Sequence, residues 1–139
     1  MTWARQLPGL LALLCSLAAQ AGTAADFLTQ ADRYWAEGKL VQAQQSFESA
    51  IAEEPDSVPV RLRLAGFQLA QQQIAASIGN YQTAISKEPD NSKAWIGLGL
   101  AYLHSSRAEL ARAAFAEAVR VDPSRKEKIA PLIAKLDAR

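Results

Sequence analysis

Few residues of this chain are of types that could perform catalysis or bind a metal. Cys15 is the only cysteine and His104 the only histidine among 139 residues. A disulfide, a CxxC metal site and a site of several histidines are therefore excluded within one chain. The acids Glu53, Glu54 and Glu88 stand beside prolines, in segments that read as loops. Because an enzyme needs a base, a nucleophile or a metal held together in a pocket, the sequence predicts a non-catalytic protein with no cofactor and no metal.

The glycines and the net charge do not indicate nucleotide or nucleic-acid binding either. Gly97 and Gly99 lie within a run whose apolar residues recur at helical spacing, so they do not form a phosphate-binding loop. Half of the residues are hydrophobic, 21% are charged and the formal net charge is +1. This composition is typical of a soluble globular chain, and it gives no strong field that would attract nucleic acid or an anionic membrane.

The prolines reveal an internal repeat. Pro55, Pro89 and Pro123 are separated by 34 and 34 positions. Each proline follows an alanine by five positions, an aromatic residue by eight and a small residue by twelve. The alanines are Ala50, Ala84 and Ala118, the rings are Phe47, Tyr81 and Phe115, and the small residues are Ala43, Ser77 and Ala111. This agreement in three registers indicates three copies of one structural unit.

Each unit is predicted to contain two helices. In the third unit, Trp95, Leu98, Gly99 and Tyr102 fall at helical spacing before a break at Ser105-Ser106, and a second helix ends before the proline. In the first unit, Gly38 is suited to close the first helix. We expect the small residue to let the two helices approach closely and the ring to fill the space between neighbouring pairs. Ser57 and Ser92 are the predicted caps of the following helices.

The motif Trp95-x-x-Leu98-Gly99-x-x-Tyr102, followed by Ala111, Phe115, Ala118 and Pro123, resembles a complete tetratricopeptide repeat. The units would span 24–57, 58–91 and 92–125. Three departures stand out: Gln30 replaces a leucine in the first unit, and Arg61 and Gln68 replace aromatic residues in the second. The resemblance implies an all-α fold, with three tandem helix-turn-helix repeats in a right-handed α-solenoid.

The N-terminus has the pattern of a secretory signal peptide. Arg5 precedes an apolar run from Leu7 to Leu17, which is too short to span a bilayer comfortably and is followed by small residues. Cleavage after Ala21 or after Ala25 fits the small-residue rule, so we predict a signal peptide over 1–25 and a first repeat over 26–57 in the mature chain. We interpret Cys15 as part of this signal. The protein is then periplasmic or secreted, and an uncleaved signal would be its only contact with a membrane.

The last segment is predicted to cap the array. Ile129, Leu132, Ile133 and Leu136 form one apolar stripe within residues 126–139. A helix with this stripe can cover the face that the last repeat would otherwise expose. We expect this capping helix to begin between Lys128 and Ala130, so that Pro131 falls in its first turn.

Charge is distributed unevenly along the mature chain. Residues 26–57 contain seven acids and two bases, a net of −5, whereas residues 92–139 contain five acids and nine bases, a net of +4. Residues 58–91 have a net of +1. Opposite charges at the two ends raise a second hypothesis: a structural protein that forms homo-oligomers by stacking head-to-tail.

The resemblance also implies a concave groove, lined by the first helix of each unit, that binds a protein or peptide ligand. The groove residues predicted on this basis are Leu28, Asp32, Trp35, Leu62, Arg63, Leu69, Lys93, Ile96, Leu100 and Leu103. Some family members carry lysines and asparagines that clamp a C-terminal carboxylate. Here Leu28 and Asp32 stand where a lysine and an asparagine would be, so we expect no clamp and a mainly apolar groove. The predicted function is that of an adaptor or assembly factor of the bacterial cell envelope.

Overall fold

The computed structural model describes residues 22–138, which form helices and no strand. Seven α-helices follow one another: α1 Ala24–Ala36, α2 Leu40–Glu53, α3 Val58–Ala70, α4 Ile74–Lys87, α5 Ser92–His104, α6 Ala108–Val121 and α7 Lys126–Asp137. A short 3-10 turn, Pro123–Arg125, links the last two. Within the described range, no helix has the length and apolar character needed to cross a membrane. The expected all-helical solenoid of three helix pairs with a further helix at its end is confirmed. The predicted signal peptide falls almost wholly on residues 1–21, outside the described range.

The small and aromatic residues of the repeat form the core of each helix pair. Ala43 and Ala111 are fully buried, as are the rings of Phe47 and Phe115 four residues later. Ser77 occupies the small position in the second pair, and its hydroxyl donates to the carbonyl oxygen of Ala65 at 2.8 Å. This bond satisfies a polar group that would otherwise be costly to bury. The second helix of each pair is therefore held against the first by the residues that recur every 34 positions.

The turns inside the three pairs share one backbone conformation. Gly38, Gln72 and Ser106 each have a positive φ, of 72°, 61° and 59°. Glycine adopts this left-handed conformation without steric cost, whereas Gln72 and Ser106 adopt it at a cost in energy because each has a Cβ atom. The predicted breaks at Gly38 and at Ser105-Ser106 are thus confirmed. The second unit has the same turn without a glycine to mark it in the sequence.

The caps between pairs agree with prediction at one position and differ at the other. Ser57 precedes α3 and its hydroxyl accepts a hydrogen bond from the backbone N–H of Val60. Ser92, however, is the first residue of α5, and Asn91 is the cap, accepting from the N–H groups of Lys93 and Ala94 at 3.1 and 3.3 Å. The prediction of Ser92 as a cap was wrong, because the amide oxygen of Asn91 reaches two free N–H groups one position earlier.

Arg61 and Gln68, the two departures in the second unit, belong to a polar network. Arg61 donates through Nε and Nη2 to the carbonyl oxygen of Pro55, at 3.1 and 2.7 Å. Trp95, at the same position of the third unit, donates its indole N–H to the carbonyl oxygen of Pro89 at 2.8 Å. Arg61 also donates to Asn80 Oδ1 at 3.1 Å, and Asn80 donates to Gln68 Oε1 at 2.8 Å. Hydrogen bonds thus replace the aromatic packing of the repeat.

Gln30, the departure in the first unit, lies on an end face of the array. In the second unit, Leu64 and Phe67 are buried against the first unit. The corresponding positions of α1 are Gln30 and Arg33, which are half-buried and exposed. Gln30 accepts a hydrogen bond from the hydroxyl of Ser46 at 3.2 Å. Since no described unit packs on this face, a polar residue is tolerated where a leucine is buried in the later units.

The last helix caps the array but begins earlier than expected. Helix α7 starts at Lys126, and Pro131 lies inside it as the sixth residue. Asp122 explains the early start, because its carboxylate accepts from the backbone N–H and the hydroxyl of Ser124 and so fixes the 3-10 turn that leads into α7. The prediction of a start between Lys128 and Ala130 was wrong. Ile129 and Leu136 are buried in the core, with Leu132 and Ile133 packed beside them, as predicted for a cap.

Candidate functional site

The first helices α1, α3 and α5 present a shared apolar surface, which we call the groove. Residues seven positions apart lie near one another around a helix, so each helix contributes two apolar side chains to it. The row nearer the helix starts is Leu28, Leu62 and Ile96; the row nearer the helix ends is Trp35, Leu69 and Leu103. Between the rows lie Asp32, Gly66 and Leu100. Seven residues at the helical rise separate the two rows by about 10 Å.

The apolar side chains of the groove are all half-buried. Those of α3 and α5 pack against the main core from one side, and Leu28 and Trp35 of α1 pack against the core of the first pair. Trp35 also contacts Phe67 edge to face, with the ring centroids 5.4 Å apart. Each side chain therefore contributes to stability through one side while its other side stays accessible. Their use by a partner stays a prediction.

The charged residues of the groove are partly paired with one another. Asp32 of α1 and Arg63 of α3 form an ion pair with 3.0 Å between Oδ2 and Nη2. The other oxygen of Asp32, Oδ1, is buried and has no hydrogen-bond partner among the described residues. Asp32 and Arg63 were both predicted to line the groove, but their ion pair was not predicted. The repeat could have predicted this ion pair. Asp32 is the ninth residue of the first unit and Arg63 is the sixth of the second, and these positions lie on neighbouring first helices.

A shallow indentation adjoins these charges on the loop side of the groove. It has a volume of about 280 Å³ and lies between the starts of α3 and α5, where Leu62, Arg63 and Lys93 border it. Lys93 is exposed, and the Arg63 side chain is 57% exposed. Glu88 also borders the indentation, but its carboxylate accepts a hydrogen bond from Asn91. Because Asp32 already pairs with Arg63, Lys93 is the cation of this edge that has no ion pair among the described residues, and it can meet an acidic group of a ligand.

Tyr81 lies beneath the middle of the groove, where two glycines face it. A Cβ atom added at Gly97 would lie 2.2 Å from the Tyr81 ring, whereas one added at Gly66 would lie 3.8 Å from its hydroxyl oxygen. Burial raises the pKa of the Tyr81 hydroxyl above its ordinary value. Tyr81 was predicted from the repeat as a packing residue, and its place under the groove was not predicted.

His104 lies at the far end of α5, away from any arrangement typical of catalysis. It is exposed and borders, with Leu103, Ser106 and Lys135, an indentation of about 370 Å³. Within residues 22–138, no three histidine, cysteine, aspartate or glutamate side chains come together as a metal site would require. The groove, with its two rows of half-buried apolar side chains, is the candidate functional site.

Comparison with protein-family models and curated proteins agrees with the fold. Two models described as tetratricopeptide repeat match residues 34–78 and 68–126. The general transcriptional corepressor ssn6 of Schizosaccharomyces pombe is 30% identical over 78 residues, which are 56% of this chain. The chain spans only 7% of that relative's length.

Solved structures of similar fold include several peptide complexes. The first TPR of Spaghetti (RPAP3) bound to an HSP90 peptide has a TM-score of 0.76 at 16% identity, covering 83% of this chain and 90% of its own. The TPR2B domain of yeast Sti1 in complex with pHsp70 has a TM-score of 0.76 at 18% identity, with coverages of 83% and 96%. The second TPR domain of human RPAP3, in complex with an HSP70 peptide, has a TM-score of 0.73 at 19% identity, with coverages of 82% and 94%. Since the helix pairs, the repeated residues and the matched family models agree, this chain belongs to the tetratricopeptide-repeat family.

Proposed function

We propose that this chain is a non-catalytic adaptor or assembly factor that binds a partner peptide or helix in the groove. The observation that carries the proposal is the pair of apolar rows, whose six side chains are half-buried on three neighbouring helices. A soluble protein rarely leaves a continuous apolar surface in water unless something binds there. The peptide complexes of structurally similar domains support the same use of the fold.

The ligands of those similar domains do not transfer directly to this groove. Leu28 and Asp32 occupy the positions where the resemblance places a lysine and an asparagine that hold a terminal carboxylate. Asp32 also neutralises Arg63 through their ion pair. We therefore propose a mainly apolar ligand. The acidic side chains of such a ligand would lie at the indentation beside Arg63 and Lys93.

Substitution of the groove leucines tests this function. We expect Leu69→Glu and Leu100→Glu to abolish capture of the partner from an envelope extract, because each places a charge in the middle of an apolar contact. Both side chains are half-buried, with one side facing the groove, so the helical circular-dichroism signal and the melting temperature should stay near the wild-type values. Quantitative pull-down with tagged protein measures the capture.

Leu110→Glu is the matched control, because Leu110 is 47% exposed and lies on α6, outside the groove. This variant should capture the partner as well as the wild type does. A loss of several kcal/mol in either groove variant would instead show that these leucines are structural, since such losses are typical of core disruption. The groove assignment would then be wrong.

We further propose that the chain is exported to the bacterial cell envelope after cleavage at Ala21. Thr23 caps α1: its hydroxyl accepts from the N–H of Asp26, and its own N–H and hydroxyl donate to the Asp26 carboxylate. Cleavage after Ala25 would remove this cap and the buried Ala24. A lost cap of this kind costs about 1 kcal/mol, so the helix favours the earlier site.

Intact-mass measurement of protein purified from the native host checks the cleavage site. The mature chain should begin at Gly22. A chain that begins at Asp26 would contradict the proposed site, and one that retains Met1 and needs detergent for extraction would contradict export as a soluble protein.

Head-to-tail self-association stays a prediction of the charge distribution. The exposed end of the first pair carries polar residues such as Gln30 and Arg33, whereas Ile129 and Leu136 of the last helix are buried in the core. No pair of matching apolar surfaces at the two ends of the described chain adds support to stacking, so partner binding in the groove is the function we favour.

A further inference from the structure

We infer that the occupant of the groove is an acidic amphipathic α-helix that places one large apolar side chain over Gly66. The inference rests on the proposed function and makes it more specific, since it names the ligand's conformation, its charge and its central residue. Three independent features support it: the width of the groove, the gap in its floor and the charges at its edge.

The separation of the two apolar rows matches the width of a helix. The row that contains Leu62 and the row that contains Leu69 are about 10 Å apart, and an α-helix with its side chains is about 10–12 Å wide. A helix that lies across α1, α3 and α5 can therefore touch both rows at once. An extended peptide could also reach both rows, because its side chains alternate from side to side, but its backbone would then lie over the floor and would place no side chain above Gly66.

The floor between the rows is open at its centre. Asp32 and Leu100 stand on either side of Gly66, which has no side chain of its own. An atom added in the Cβ position of Gly66 would have only the Tyr81 hydroxyl within 4 Å, at an ordinary contact distance of 3.8 Å. Nothing in the packing thus requires a glycine here, although glycine in the interior of a helix is unfavourable relative to alanine. The space above Gly66 is suited to a side chain of the ligand.

A glycine inside a helix does not indicate a binding site by itself, as Gly79 shows. Gly79 lies in the interior of α4 and also has free space around its Cβ position, but it is exposed and lies outside the groove. Gly66 differs because it is half-buried between two apolar rows. Gly79 therefore serves as a control for the effect of glycine on helix stability alone.

The charges at the edge of the groove favour an acidic ligand. Arg63 and Lys93 border the indentation beside Leu62, and both are exposed. Asp32 pairs with Arg63 and Glu88 borders the same indentation, so this edge carries both signs of charge, and Lys93 is its cation without an ion pair among the described residues. Lys135 adds a cation at the opposite end, next to Leu103 and His104. Because Lys93 and Lys135 lie at opposite edges of the groove, acids on the two flanks of a helix that lies across α1, α3 and α5 would meet opposite charge.

Selection of peptides by the protein tests the inference. The probe is a phage-displayed library of random 16-residue peptides, which are long enough to cross the three first helices, because neighbouring helices pack about 8–10 Å apart. Sequences selected by the wild type should be acidic, with apolar residues at helical spacing and a large apolar residue near the centre. A synthetic peptide of the best sequence should gain helical circular dichroism on binding. Its variant with alanine at the central position should bind about tenfold more weakly.

Enlarging Gly66 should reverse this preference. Gly66→Leu should weaken binding of the parent peptide by about tenfold or more and should bind the central-alanine peptide better than the wild type does. Gly66→Ala should have a smaller effect in the same direction and, as the milder change, keeps the test valid should the leucine variant unfold. Gly79→Leu should bind both peptides as the wild type does.

Two results would overturn the inference, and they separate it from the proposed function. If selected peptides lose binding in Leu100→Glu but not in Gly66→Leu, or if their apolar residues alternate as in a strand, the helix and its central residue are wrong while the groove function stands. If no selected peptide depends on Leu69 or Leu100, the groove function fails and this inference fails with it.

Discussion

Gly97→Ala should destabilise the protein by about 2 kcal/mol or more, although the same change normally stabilises a helix by up to about 1 kcal/mol. The added Cβ atom would lie 2.2 Å from two ring carbons of Tyr81, well inside van der Waals contact. Tyr81 is only 7% exposed and packs in the core, so its ring has little room to move away. Urea unfolding followed by circular dichroism measures the loss. Gly99→Ala should behave similarly, because its Cβ would lie 2.5 Å from Phe115.

Gly79→Ala is the matched control, since Gly79 also lies within a helix but has no neighbour within 4 Å of its Cβ position. This variant should gain about 0.5–1 kcal/mol through helix propensity. The two substitutions should therefore change the free energy of unfolding in opposite directions. Equal stability of Gly97→Ala and the wild type would show that the Tyr81 ring does not occupy the space between α3 and α5.

The repeat made most of the fold predictable, because a few residue types recur at positions with fixed structural roles. Ala43 and Phe47 are buried at the contact between α1 and α2 for the same physical reason as Ala111 and Phe115 in the third pair. A small residue allows close approach, and a ring fills the space beside it. The helix breaks of the first and third units followed from turn residues, and the capping helix followed from an apolar stripe. These are local patterns, so they can be read without coordinates.

Features that depend on contacts between distant residues could not be predicted. The bonds from Asn80 to Arg61 and Gln68 cross 19 and 12 residues, and each of the three side chains alone reads as an ordinary polar residue. The start of α7 was misplaced because proline is usually confined to the first turn, whereas Pro131 is exposed and its lost hydrogen bond lies at the surface. Tertiary contacts override local preference in the first case, whereas the start of α7 is fixed locally, by the hydrogen bonds that Ser124 donates to Asp122.

The two glycines near Tyr81 show the same limit within the candidate site. Gly66 and Gly97 both lie within first helices, and the sequence alone does not distinguish them. The structure shows that Gly97 is required by packing and that Gly66 is not. The position of the Tyr81 ring distinguishes them: it excludes a side chain at Gly97 and leaves space at Gly66.

Ile129→Asp should detach α7 from the rest of the array. Ile129 is 1% exposed and packs in the same core as Phe115, so a carboxylate there would be buried without a partner. The helix can relieve this penalty by leaving the surface of α6, and the cost is then limited to the free energy of docking α7, which we expect to be about 2–4 kcal/mol. Hydrogen exchange of the α7 amides should rise towards that of an unfolded segment, and the melting temperature should fall.

Ala130→Asp provides the control, because Ala130 is the next residue of the same helix and is exposed. It adds the same charge to α7 and lowers its helix propensity at least as much, since alanine is the better helix former, but it does not enter the core, so exchange and melting should stay close to the wild type. Detachment should also break the ion pair between Arg112 of α6 and Asp137 of α7. If Ile129→Asp keeps the protected α7 amides of the wild type, the helix is not anchored through Ile129. In that case, α7 would still cover α6 and protect it from water without the Ile129 side chain.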